Sequence, residues 1–210
     1  MNDSSIEGWP ARRPLIAILR GIEPHEALAH ADALLDAGMD CIEVPTNSPD
    51  WQRSVEAIVR HAGPRALVGA GTVWQDEQLR QLIDAGGRLM VTPHTDPALV
   101  AKARGLGLLT AIGCATASEA FAAVRAGATV LKIFPAAPLG AAYVGALRSV
   151  LPRAVPLFAV GGVRPDNLAE FWKAGCVGAG LGGELYRPGQ APQQTGEKAR
   201  AFIDAWARIS

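Results

Sequence analysis

Two residues stand where their chemistry is costly to keep. Lys132 lies inside the apolar run TVLKIFP (129–135), and Glu43 lies inside CIEVP (41–45). Desolvating an ammonium or a carboxylate is expensive unless the group is paired or neutralised. A lysine in a dry pocket near other cations has a lowered pKa, and its neutral amine is a nucleophile toward a ketone. The Schiff base so formed is an electron sink, able to take the electrons of an adjacent C–C bond or those left by a departing proton. Either course needs a proton carrier, and Glu43 is the carboxylate placed inside a strand. Of the four lysines, Lys102, Lys173 and Lys198 fall on helical segments among polar neighbours. The competing account is a buried Glu–Lys pair serving the fold alone, yet such pairs gain little over an apolar replacement.

Side chains alternate along a strand, so Val130, Lys132 and Phe134 share one face while Leu131 and Ile133 share the other. The same alternation groups Cys41, Glu43 and Pro45. Arg20, Thr72 and Thr92 are further polar residues at strand ends. Two glycine-rich turns come late: VGGVRPDN (160–167) and LGGELY (181–186). Gly161, Gly162, Gly182 and Gly183 would let backbone N–H groups approach a phosphate, helped by a short helix N-terminus. Tight turns alone would also account for either pair. In VGAGTV (68–73), Thr72 is placed to hydrogen-bond a carboxylate. His94 follows a strand end and is a weaker candidate for the mouth of a site. No histidine pair has metal-ligand spacing, so a metal is not expected.

These residues need elements to hold them. Apolar runs at 14–21, 41–45, 66–73, 88–93, 108–113, 129–135, 156–162 and 176–183 alternate with helical patterns. The helical patterns begin near Pro24 and Trp51, then cover 75–85, 96–104, 116–126, 139–151, 165–174 and about 194–208. Ala-Gly recurs at 37–38, 85–86, 126–127 and 174–175, where glycine can cap a helix before an even-numbered strand. Eight such units fit either a closed barrel or an open doubly wound sheet. No GxGxxG or Walker loop follows the first strand, and the unusual residues gather at strand C-terminal ends, where a barrel unites its loops. The expected fold is therefore α/β, a single-domain (β/α)8 TIM barrel over 1–210, with an N-terminal extension at 1–13.

Composition agrees: 49% of residues are hydrophobic and 19% charged, with 20 basic against 20 acidic side chains. That balance offers no footprint for nucleic acid or an anionic membrane. Cys41, Cys114 and Cys176 have no CxxC spacing and suit small buried thiols in a reducing cytoplasm. The five tryptophans, Trp51, Trp74 and Trp172 among them, suit packing or subunit contacts.

The chain resembles the bacterial 2-keto-3-deoxy-6-phosphogluconate/galactonate aldolase family. The resemblance rests on PLIAILRGI, IEVPTNSP, LVGAGTV, VTPH, GCATASEA, LKIFPAA, FAVGGV and GAGLGGELYRPG, in order from about residue 14 to 190. It implies a homotrimeric barrel with a class I mechanism that uses no metal or cofactor, acting on a phosphorylated keto-deoxy sugar acid. It matches Lys132 to the Schiff-base lysine and Glu43 to the acid/base. Arg20, Thr72 and Pro93 match the lining at the pyruvate end, with Phe134 against the imine. Gluconate-type members resemble E-V-T-x-R-T after the glutamate and place threonine before the strand-seven Gly-Gly. Here the run is Glu43-Val44-Pro45-Thr46-Asn47, and the residue before Gly161 is Val160. Both departures match the galactonate type. Where gluconate-type members have serine, this chain has Glu184, which would repel a phosphate unless turned away. Two rival functions share the glycine loops: a phosphate-binding barrel isomerase or epimerase, and a catalytically silent sugar-phosphate binding protein.

Overall fold

The computed structural model describes Trp9 and residues 14–209, so most of the extension expected at 1–13 lies outside the described residues. Eight strands form the sheet: β1 Leu15–Ile18, β2 Cys41–Pro45, β3 Leu67–Gly71, β4 Leu89–Val91, β5 Leu109–Cys114, β6 Val130–Ile133, β7 Leu157–Val160 and β8 Gly178–Leu181. Each pairs in parallel with its sequence neighbours, and β8 pairs with β1 to close the barrel. Closure leaves the strands no free edge.

The connecting helices are α1 Ala27–Asp36, α2 Trp51–Ala62, α3 Asp76–Asp84, α4 Pro97–Gly105, α5 Ala117–Arg125, α6 Ala136–Leu139, α7 Ala141–Val150, α8 Leu168–Lys173 and α9 Pro192–Ala207. The one-turn α6 was not expected. Several strands end earlier than their apolar runs: β3 stops at Gly71 because Thr72 (φ 57°) turns the chain out of extended geometry, and β1 stops at Ile18, ahead of a turn that includes Gly21 (φ 81°). Arg20, Thr72, Thr92 and Phe134 consequently sit just beyond the paired segments, at the barrel's C-terminal rim.

Alternation splits the core into two layers. Ile16, Cys41, Leu67, Leu89, Val91, Leu109, Val130 and Phe158 form one cluster inside the ring. Ile42, Val44, Leu131 and Ile133 belong to the larger cluster against the helices. Trp9, just before β1, joins the inner layer and packs on Phe158 with ring centroids 5.6 Å apart. Helices α1, α3, α4, α5 and α8 finish alike: a left-handed glycine (Gly38, Gly86, Gly107, Gly127 or Gly175) donates to the carbonyl three residues back. The following N–H reaches five residues back, the Schellman pattern. Gly107 follows Leu106 and precedes an odd strand, so this rhythm belongs to how helices end and not to strand parity.

Candidate active site

Strand parity carries Glu43 and Lys132 into the ring. Both are buried, 1% and 5% exposed, and both border one narrow void on the barrel axis with Ile16, Ile18, Val91 and Val160. Above it, at the C-terminal rim, opens a cavity of about 400 Å³. Lys132, Ile18 and Val160 border both spaces, whereas Glu43 borders only the lower one. The amine thus borders both the cavity and the void, and the carboxyl group shares the void with it.

Burial pulls the two groups toward their neutral forms. It lowers the pKa of Lys132, opposed by the charge of Glu43 and assisted by the cation of Arg20. It raises that of Glu43, opposed by Lys132 and then by Arg20. One Glu43 oxygen, Oε2, is buried without a hydrogen-bond partner. Such an orphan is costly in a group kept only for the fold. Gly71 on β3 makes room for it: a Cβ there would lie 2.6 Å from the Glu43 carboxyl. The glycine-rich end of β3 therefore seats the acid, and Thr72 follows as the polar residue of that strand end.

The remaining expected residues assemble around the cavity. Arg20, Thr72, Pro93 and Phe134 line one side, and Val160, Gly161, Gly162, Gly182 and Gly183 the other. The Lys132 Nζ lies 4.9 Å from the Phe134 ring centroid, and that ring is about one-third open to solvent. Arg20 donates to Asn47 Oδ1 at 2.6 Å and to Thr72 Oγ1 at 3.3 Å. Thr92 and His94 do not line the cavity. The Thr92 hydroxyl instead accepts from the Gly113 N–H and donates to the His94 carbonyl, fastening the turn after β4.

Ile18 and Val163 also line the cavity and were missed from the sequence. Ile18 was within reach, since it shares parity with Ile16 on β1; Val163 carries no such signal. Glu184 borders the cavity, exposed, with Oε1 3.9 Å from the Arg187 guanidinium. Arg187 also donates to the Gly183 carbonyl at 2.9 Å, so a cation stands beside the acid whose charge would oppose an anion. Neither late loop leads directly into a long helix. A turn follows β8 before α9 starts at Pro192, and α8 is only six residues long. Only the loop after β7 runs into a short helix, with α8 starting at Leu168, so backbone amides are the nearest groups on offer to a phosphate.

A closed parallel barrel whose buried amine opens at the C-terminal rim, with an acid below and glycine loops opposite, defines a class of lyase built for Schiff-base chemistry. The chain belongs to the KDPG and KHG aldolase family, whose description matches residues 7–195. It is 52% identical over 198 residues to the 2-dehydro-3-deoxy-6-phosphogalactonate aldolase of Escherichia coli, covering 94% of this chain and 97% of that one. Its fold superposes with a TM-score of 0.92 on a chain of a cube-shaped protein cage designed by fusing symmetric oligomeric domains, at 52% identity, covering 93% and 73% of the two chains. It superposes with a TM-score of 0.80 on KDPG aldolase from Legionella pneumophila with pyruvate captured as a covalent carbinolamine, at 25% identity and 95% coverage of both.

Proposed function

We propose that this protein is a class I aldolase that cleaves 2-dehydro-3-deoxy-6-phospho-D-galactonate to pyruvate and D-glyceraldehyde 3-phosphate. The observation that carries the reading is the Lys132 amine at the base of the cavity, buried, biased toward its neutral form and sharing a void with a buried acid. Lys132 attacks the C2 ketone of the substrate to give a carbinolamine. Glu43 donates the proton with which water leaves, forming the iminium. The resulting carboxylate takes the C4 hydroxyl proton as the C3–C4 bond breaks, and the bond's electrons pass into the iminium to give an enamine. Glyceraldehyde 3-phosphate departs, Glu43 returns its proton to C3, and water hydrolyses the iminium to release pyruvate and the free amine.

Arg20 and Thr72 are placed to hold the keto acid's carboxylate, Pro93 and Phe134 to enclose the imine, and the glycine loops to receive the phosphate. Val160 presents an apolar side chain beside Lys132. The gluconate and galactonate epimers differ at C4, the reacting carbon. An apolar side chain in place of a hydroxyl donor here therefore alters which configuration is held, and the match to the galactonate type selects that epimer. Assembly as a homotrimer is supported by the family resemblance and by likeness to a chain used as a symmetric oligomeric domain. Action in the cytoplasm is supported by three free, buried thiols. No described helix is long and apolar enough to cross a membrane.

Borohydride reduction in the presence of pyruvate tests the covalent step, with a pyruvate-derived adduct on Lys132 expected. Turnover of the two C4 epimers tests the specificity, with the galactonate epimer expected to be faster. No adduct and no pyruvate release would return the choice to the isomerase or the silent binder.

A further inference from the structure

Three consecutive residues after β2 each fasten a different neighbour. Thr46 donates its N–H to the Gly71 carbonyl and its hydroxyl to the Thr72 carbonyl, both at 2.8 Å. Ser48 accepts the Gly21 N–H at 2.8 Å. Between them, Asn47 accepts from the Arg20 side chain at 2.6 Å. The backbone on the other side of Arg20 is tied to the same strand, since the Leu19 N–H donates to the Glu43 carbonyl at 3.0 Å. The segment 19–21 is thus gripped from β2 and its loop at its first residue, its last residue and its one long side chain.

Arg20 and Asn47 are both exposed at the rim. A long cation in that position ordinarily loses considerable rotamer entropy when it is fixed, so a tight bond from a short side chain has a positional consequence. The chemistry of the acceptor has a second one. An aspartate would hold the guanidinium at least as strongly but would cancel its charge locally; an amide oxygen holds it and cancels nothing. Of the five N–H donors of a guanidinium, Asn47 takes one on one terminal nitrogen and Thr72 one on the other. One N–H on each terminal nitrogen and the Nε–H remain to donate to a carboxylate.

We propose that Asn47 is a positioning residue, a neutral tether that fixes the Arg20 guanidinium at the cavity rim while leaving its whole charge to the carboxylate of the incoming keto acid. The inference rests on the aldolase reading. Arg20 also contributes its charge to the environment of Lys132. Releasing or neutralising that cation therefore makes the amine harder to deprotonate, which moves the acidic limb of the rate profile to higher pH.

The test compares Asn47→Ala and the isosteric Asn47→Asp with the parent enzyme, using pyruvate with borohydride and the phosphorylated substrate. Both variants are expected to melt near the parent temperature, because the residue is exposed. Asn47→Ala should raise KM roughly tenfold with kcat within a few-fold, the size of a lost charge-assisted hydrogen bond. Asn47→Asp, despite keeping the acceptor, should raise KM at least as much, and both should shift the acidic limb of kcat/KM upward in pH. An Asn47→Asp enzyme with parental KM and pH profile overturns the neutral tether, as does an Asn47→Ala enzyme unchanged in both. If the parent enzyme itself traps no pyruvate, the aldolase reading fails and takes the tether with it; normal trapping with unaffected variants removes the tether alone.

Discussion

The two sides of the cavity are built in opposite ways. The side formed by β1, β2, β3 and β6 consists of side chains held in place: Glu43 fills the space that Gly71 leaves, Arg20 is bound by the side chains of Asn47 and Thr72, and Thr46 ties the loop after β2 to the Thr72 carbonyl. The side formed by β7 and β8 is largely bare backbone, braced from behind. Asn167 donates to the Gly162 carbonyl and accepts the Arg164 N–H. Bond making and breaking needs particular atoms within a few tenths of an ångström, which requires locked side chains. A phosphate, with several equivalent oxygens, can be received by amides whose chief requirement is access.

The two glycine pairs differ in turn. Gly161 and Gly162 have φ of 96° and 73°, and a Cβ on Gly162 would lie 2.6 Å from that of Ala137, so turn geometry and packing alone demand glycine there. A Cβ on Gly182 or Gly183 would meet no atom within 4 Å. The fold does not require those two glycines, which makes them the better witnesses for a ligand.

The largest expected effect breaks the side-chain half. Lys132→Met should reduce cleavage to background and abolish the borohydride adduct while the far-ultraviolet dichroism is unchanged. Because the chain keeps two buried ionisable groups for chemistry, the double variant Lys132→Met/Glu43→Gln should be more stable than the parent by up to about 1–4 kcal/mol in urea unfolding at neutral pH. The sign follows from burial, which puts the folded pKa of Lys132 below its unfolded value. Between those two values the unfolded chain holds more protons, so parental stability rises with pH. The lysine's share of the difference should accordingly shrink as pH climbs toward the unfolded value of about 10.4 and be gone above it. A parent more stable than the double variant at every pH would show that the pair serves the fold.

Glu43→Gln comes next. The amide fills the same space but can neither give nor take the travelling proton, so kcat should fall by ~10²–10⁴-fold. Pyruvate trapping at Lys132 should persist at a reduced rate. Trapping and turnover both at the parental level would move the acid/base role elsewhere.

Much of this half was legible because its information is local. Two residues apart on a strand means the same face, a rule that set Lys132 opposite Leu131 and Ile133 and grouped Glu43 with Cys41. The structure then packs Leu131 and Ile133 on the helices and leaves Lys132 and Glu43 in the ring. Eight alternating units and the recurrent Ala-Gly ends made the barrel legible for the same reason. What escaped depends on segments distant in sequence meeting in space. Gly71 reads as one more glycine of a strand until Glu43, 28 positions earlier, is seen to occupy the place of its missing Cβ. Asn47 reads as a loop residue until Arg20 reaches it. Neither periodicity nor composition encodes such meetings.

Gly71→Ala sharpens the point by attacking the acid through its neighbour. The added methyl must displace a buried carboxyl group, at a cost of about 1–3 kcal/mol for overpacking. It should lower kcat by an amount smaller than that of Glu43→Gln, and a crystal structure should show Glu43 rotated. A fully active variant with Glu43 unmoved would mean that the close approach has no part in placing the acid.

The smallest expected effect belongs to the backbone half. Gly183→Ala adds a methyl that meets no protein atom within 4 Å, so its unfolding free energy should stay within about 0.5 kcal/mol of the parent. Should these amides receive the phosphate, the methyl stands where phosphate oxygens approach, and KM for the phosphorylated substrate should rise several-fold. Trapping of pyruvate, which has no phosphate, should be unaffected, because Lys132, Arg20 and Thr72 are untouched. Gly162→Ala is the contrasting change: its left-handed backbone and the crowding by Ala137 predict lost stability together with lost affinity. A Gly183→Ala enzyme that lost pyruvate trapping and phosphorylated-substrate affinity in equal measure would show that the two halves act as one unit, and their division into chemistry and recognition would have to be abandoned.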